Sequence, residues 1–193
     1  EPLFFGHYYS GKNACKSSIP DVASRTAVIV KIYTAAFPNA IVGDVEPFPA
    51  VSSHPDWQAD YASWLRAFHN ATGTPLSFLN LDFNWGDPFL NKGNDHSGSN
   101  AAAIAALARN AVSVARANGL RVGMIYWGGG ATDQVWMRNA RTHIDYVEAS
   151  GIHPDQAIFV SWNAAPARTL PESDPAALTS LIDYYFEHID KTK

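Results

Sequence analysis

Cysteine is almost missing from this chain. Cys15 stands alone among 193 residues, which excludes an internal disulfide, and it is expected to be a buried apolar thiol. Charge is also sparse. Asp, Glu, Lys and Arg make up 17% of the sequence, with a net charge of -4. That balance argues against nucleic acid and anionic membrane surfaces as partners. No apolar run reaches the roughly 20 residues of a membrane span. The opening residues Glu1-Pro2-Leu3-Phe4-Phe5 carry no basic region or cleavage site and are not read as a signal peptide. A secreted or periplasmic location is the expectation. Several chemical signatures are missing too. No G-x-G-x-x-G follows an early strand, no G-x-S-x-G elbow is present, and the seven histidines form no H-x-x-x-H or H-E-x-x-H pair. Dinucleotide chemistry, a serine nucleophile and a zincin-like metal site are thereby disfavoured, and no cofactor or metal is expected.

What is present is apolar and aromatic: 47% hydrophobic residues, 12% aromatic, and six Trp. Four short apolar runs turn polar or aromatic at their C-terminal ends: 40–47, 76–85, 121–127 and 157–163. Between them lie helical patterns. Glu1 to Tyr9 is expected to be extended. Ser18-Ile19-Pro20-Asp21 is a helix-start signal, with a capping hydroxyl, an early Pro and an acid near the positive end. Val22, Ile29, Ile32, Tyr33 and Phe37 recur at helical spacing after it. Trp57, Tyr61, Trp64, Leu65 and Phe68 form a second apolar stripe, and Ile104, Leu107, Ala111 and Val112 a third, after a cap at Ser99. Thr132 opens a fourth helix, and Asp174-Pro175 is expected to open the last, with Leu178, Leu181, Ile182, Tyr185 and Phe186 apolar.

Strict alternation of helices with buried strands predicts parallel βα units. The fold class expected is α/β, a parallel (β/α) barrel of which residues 1–193 form one domain, the C-terminal half. A complete barrel needs about 200 residues or more and eight strands, so an N-terminal half-barrel segment is expected elsewhere. A self-contained four- or five-strand α/β domain is the alternative. In either architecture the ligand lies at the C-terminal strand ends.

Those ends define the candidate site. Side chains alternate along a strand, so Val42, Asp44 and Glu46 share one face, as do Asn80, Asp82 and Asn84. Glycoside hydrolysis needs one carboxyl protonated as acid and another ionised as base, nucleophile or stabiliser, and neighbouring carboxylates push each other's pKa apart. Glu46 is assigned as proton donor and Asp44 as the ionised partner, kept charged by donors such as Asn80. Asp82 is the candidate base or nucleophile across the site, with Glu1 the next acid to consider. Tyr8, Trp85, Tyr126, Trp127 and Trp162 are expected to stack on sugar faces, and His7, Asn80, Asn84 and Asn163 to bind hydroxyls.

The stretch Val42-Gly43-Asp44-Val45-Glu46-Pro47 resembles the strand-end Asp-x-Glu of several barrel glycoside hydrolase families, the lysozyme-like muramidases among them. Glu1-Pro2 is similar to the Glu-Pro that follows the fourth strand in the large retaining glycosidase clan, and Trp162 suits that clan's last strand. The resemblance implies a TIM barrel and an oligo- or polysaccharide substrate. The clan's nucleophile Glu is not carried over, because Met124-Ile125-Tyr126-Trp127 holds no acid. Three other readings are a non-catalytic sugar-binding barrel, a metal-dependent hydrolase or lyase using His7, His96, Asp82 and Asp95, and a structural fragment without a site.

Overall fold

A computed structural model describes residues 1–84 and 101–188, apart from the side chains of residues 101, 102 and 104. Trp85, the loop residues Asp87, Asn91, Lys92, Asp95 and His96, and the expected cap Ser99 lie outside the described residues.

Among the described residues five α-helices and four strands alternate along the chain. They are α1 (Ile19–Ala36), β1 (Asp44–Phe48), α2 (Trp57–Thr72), β2 (Phe78–Phe83), α3 (Ala101–Ala117), β3 (Arg121–Tyr126), α4 (Asp133–Ala149), β4 (Gln156–Phe159) and α5 (Ser180–His188). The strands form one parallel sheet in the order β1-β2-β3-β4. Sequential order with a helix in each connection is the singly wound arrangement expected of repeated right-handed βα units. Among the described residues β1 and β4 are the two edges of the sheet. By compactness the chain divides into two units, Glu1–Asp82 with Ala111–Gly123, and Phe83–Asn110 with Met124–Lys193.

In the first unit the helix signals hold. Ser18 accepts from the Asp21 amide at 3.3 Å and donates to the Asp21 carboxylate at 2.6 Å, which satisfies an otherwise orphaned helix donor. Gly73 closes α2 with φ 78°, a conformation glycine adopts without steric cost. Trp57, Tyr61, Trp64 and Phe68 are buried, as their spacing predicts.

Three expectations need correction. The chain from Phe4 to Tyr8 is helical, not extended, because a carboxylate from β1 caps its start. Helix α1 buries Ile19, Val22, Ala23 and Ala27, while Ile29, Ile32, Tyr33 and Phe37 are exposed. That helix is apolar on more than one face, and close packing against α2 selects the side with the small residues. Cys15 is exposed. It sits in a polar loop with no apolar wall to cover it.

In the second unit, Thr132 caps α4 by accepting from the Val135 amide. Helix α5 begins at Ser180, later than Asp174-Pro175. Asp174 instead accepts from the Ala176 amide at 2.9 Å and holds a turn, the local bonding that lets Asp compete with helix.

Just before β1 the Phe78 ring lies close against the Gly43 backbone. A Cβ added at Gly43 would lie 2.0 Å from the Phe78 ring. We expect Gly43→Ala to destabilise the protein by about 1–3 kcal/mol, the range for an overpacked site. Urea unfolding should recover part of that loss in the double variant with Phe78→Leu. Full stability in the single variant would contradict this packing.

Candidate functional site

The acids of β1 are both buried: Asp44 is 3% exposed and Glu46 0%. They alternate with the half-buried Val45 and Pro47, and their face is turned to α2. The Trp64 indole Nε1–H donates to Asp44 Oδ2 at 2.8 Å, and the Val45 amide donates to Oδ1 at 2.9 Å. One pleat on, the Phe48 ring meets Trp57 edge-on at 5.8 Å. The Tyr61 hydroxyl, also buried, lies beside Asp44, and burial followed by the Asp44 and Glu46 charges holds its proton on firmly.

Glu46 reaches the other way, to the start of the N-terminal helical segment. The Leu3 amide donates to Oε1 at 2.7 Å and the Phe4 amide to Oε2 at 3.0 Å. The first amides of a helix have no intrahelical acceptor, and a carboxylate there meets both the free donors and the positive end of the dipole.

Burial shifts both acids upward. Loss of solvent raises Asp44 to about 6, against the opposing effect of the Trp64 indole, the amino terminus and the Val45 amide. Glu46 is raised well above the usual carboxylate range, first by burial and then by the Asp44 charge, with the amino terminus and the Leu3 and Phe4 amides opposing. Two neighbouring carboxyls rarely ionise together without solvent. The donors that keep Asp44 charged are Trp64 and Val45, in place of the expected Asn80, whose buried Oδ1 has no partner.

Asp82 does not join this pair. On β2 the wholly buried residues are Leu79, Leu81 and Phe83, and Asp82 is half-buried between them. The contact of Gly43 with Phe78 shows that the side of β1 away from Asp44 adjoins the side of β2 that carries Asn80 and Asp82. By strand alternation, Asp82 therefore projects from the face opposite the acid pair. The sequence pattern gives the period of each strand but not its phase against the helices.

The other candidates divide by unit. In the first, Glu1 opens the segment whose Leu3 and Phe4 amides donate to Glu46. Tyr8 stacks on His54 with ring centroids 3.9 Å apart and donates to Asp60 at 2.7 Å, so its hydroxyl is raised by burial and by that carboxylate. His7 Nδ1 lies 2.8 Å from the Ser17 carbonyl. In the second, Tyr126 is wholly buried and donates to Glu148 at 2.7 Å. It offers no face to a sugar, which corrects the expectation of stacking there. Trp127 Nε1–H donates to the Phe83 carbonyl at 2.9 Å. Asn84, Trp162 and Asn163 are exposed, Trp162 at 58%. Trp85 lies outside the described residues. Among the described residues no group of three His, Cys, Asp or Glu gathers as metal ligands.

Sequence reasoning missed Trp64, Tyr61 and the Leu3 and Phe4 amides. A signal did exist: the α2 stripe is built from aromatics with polar edges, which need hydrogen-bond partners when buried.

The raised acids fix a pH dependence. Between the unfolded pKa of Asp44, 3.8, and its folded value of about 6, the folded state binds more protons than the unfolded. Stability therefore falls as pH rises through that window, and Glu46 extends the fall upward. Asp44→Asn should flatten the slope. Trp64→Phe removes a donor from a buried carboxylate and should cost about 1–3 kcal/mol above the Asp44 pKa, and less below it. Denaturant unfolding at a series of pH values measures both, and stability rising from pH 4 to 6 would contradict the assignment.

With this geometry in hand, comparison with known proteins gives no relative: no family model, no curated protein and no solved structure matches the chain.

Proposed function

We propose that this chain is the C-terminal part of a parallel (β/α) barrel that hydrolyses a glycosidic bond in an oligo- or polysaccharide. The observation that carries the reading is the buried pair on β1, with Asp44 raised to about 6 and Glu46 raised well above the usual carboxylate range. Two carboxyls with raised and separated affinities keep one proton available near neutral pH, which is the condition for general acid catalysis on a leaving-group oxygen. In the proposed role Glu46 gives that proton to the glycosidic oxygen as the C–O bond breaks, a water molecule adds to the anomeric carbon, and the proton that this water loses restores the acid; Asp44 is the group that ionises first. The parallel strand order supports a barrel, whose ligands sit at C-terminal strand ends.

One observation favours a second reading, a sugar-binding barrel without turnover. All four oxygens of the pair already accept from Trp64, Val45, Leu3 and Phe4, so both acids also serve as internal braces. For Glu46 to reach a substrate, the Leu3 and Phe4 amides must release it.

The two readings separate on a panel of aryl and natural glycosides. If Glu46 is the acid, Glu46→Gln should cost roughly 10²–10⁴ in rate on substrates with poor leaving groups and far less on activated ones. Circular dichroism should show the variant folded. Equal rates for variant and wild type on both classes would remove the assignment. Saturable sugar binding with no turnover in the wild type would establish the second reading.

A further inference from the structure

The second unit holds a groove of about 490 Å³ between α4 and the loop from Arg168 to Ala176, a size suited to a small molecule. Gln134, Arg138, Arg141 and Asp145 line it from α4, at spacings that place them on one helix face. Arg168 and Asp174 line it from the loop. The loop is tied in place: the Ala167 amide donates to Asp133 at 3.0 Å, the Leu178 amide to the Arg168 carbonyl at 3.0 Å, and the Thr179 amide to the Thr169 carbonyl at 3.2 Å.

The charges in this groove are unevenly matched. Arg168 is spent on Asp174, 2.6 Å away. Asp145 accepts the Tyr184 hydroxyl at 2.8 and 3.0 Å. Among the described residues the hydrogen-bond acceptors of Arg141 are both neutral, the Pro175 carbonyl at 3.3 Å and the Ser180 hydroxyl at 3.4 Å. Its guanidinium lies over the Tyr184 ring at 5.2 Å, which orients it, and its Nε is buried without a partner. Arg138 is exposed one turn earlier and has no ion pair among the described residues. Two guanidiniums thus face one preformed groove without carboxylate partners, and one has a donor unused.

We propose that this groove binds a small molecule bearing an oxyanion (a carboxylate, sulfate or phosphate) held by Arg138 and Arg141. Planar guanidinium groups match such oxygens two at a time, and an acceptor beside Arg141 would satisfy its Nε. Gln134 is placed to bind a hydroxyl of the same ligand. The proposal is independent of the glycosidase reading.

Isothermal titration of the full chain with inorganic phosphate, sulfate, glucuronate and, as a neutral control, glucose tests it. Saturable binding of at least one oxyanion and none of glucose is expected. Arg138→Gln should weaken that binding about tenfold, the loss of one charge-assisted pair. Arg141→Lys, which keeps the charge but loses the fork, should do the same. Arg66→Gln, on exposed α2 surface, should leave it unchanged. Preference for glucuronate would identify a sugar-borne acid as the ligand, and preference for phosphate or sulfate a free inorganic ion. No saturable oxyanion binding would overturn the proposal. So would binding that survives Arg138→Gln, or that Arg66→Gln weakens equally.

Discussion

Two carboxylates buried in one short strand set the terms for the first unit. An ionised carboxylate in an apolar interior is costly unless donors surround it, and here each donor comes from a different part of the chain. Trp64 comes from α2, Val45 from the strand itself, and Leu3 and Phe4 from the N-terminal segment. Removing any of them leaves a charge or a helix end without a partner. The pair therefore ties the edge strand to its crossover helix and to the chain's first helical turn.

The same bonds bear on function. Burial raises Asp44 to about 6 and Glu46 further, which puts an exchangeable proton in the range where acid–base chemistry operates. Structural networks of carboxyls perturb affinities in the same direction. Access separates the two roles, because a group that only braces the fold never needs to meet solvent, whereas a proton donor does. In the second unit, Glu148 is a braced carboxylate of the other kind, accepting from Tyr126 at 2.7 Å and Tyr185 at 3.0 Å with no strand-end acid beside it.

The alternation of helices and strands was legible because turn signals and apolar periods recur at regular intervals. Ser18 and Thr132 marked helix starts correctly, since capping depends on residues next to one another. The parallel sheet followed from that order. Less legible was anything that depends on phase or on distant partners. Asp44, Glu46 and Asp82 read as one site because each follows an apolar run, yet Asp82 alternates with Leu81 and Phe83 while Asp44 meets Trp64 and Glu46 the Leu3 and Phe4 amides. Helix α1 misled for a related reason: Ile29, Ile32, Tyr33 and Phe37 have core-like spacing, but Ile19, Val22, Ala23 and Ala27 are the side chains that are buried. Tyr126 looked like a sugar platform from its place at a strand end, and its partner Glu148 lies 22 residues away.

The account rests on two coupled carboxyls that hold their protons above the ordinary range. Carbon-13 NMR titration of the Asp44 and Glu46 side-chain carboxyls, assigned through Asp44→Asn and Glu46→Gln, reads this directly. The account predicts a midpoint for Asp44 near 6, a higher one for Glu46, and a drop in the Glu46 midpoint when Asp44→Asn removes the neighbouring charge. Midpoints at or below about 4 for both groups, the ordinary carboxylate values, would contradict it.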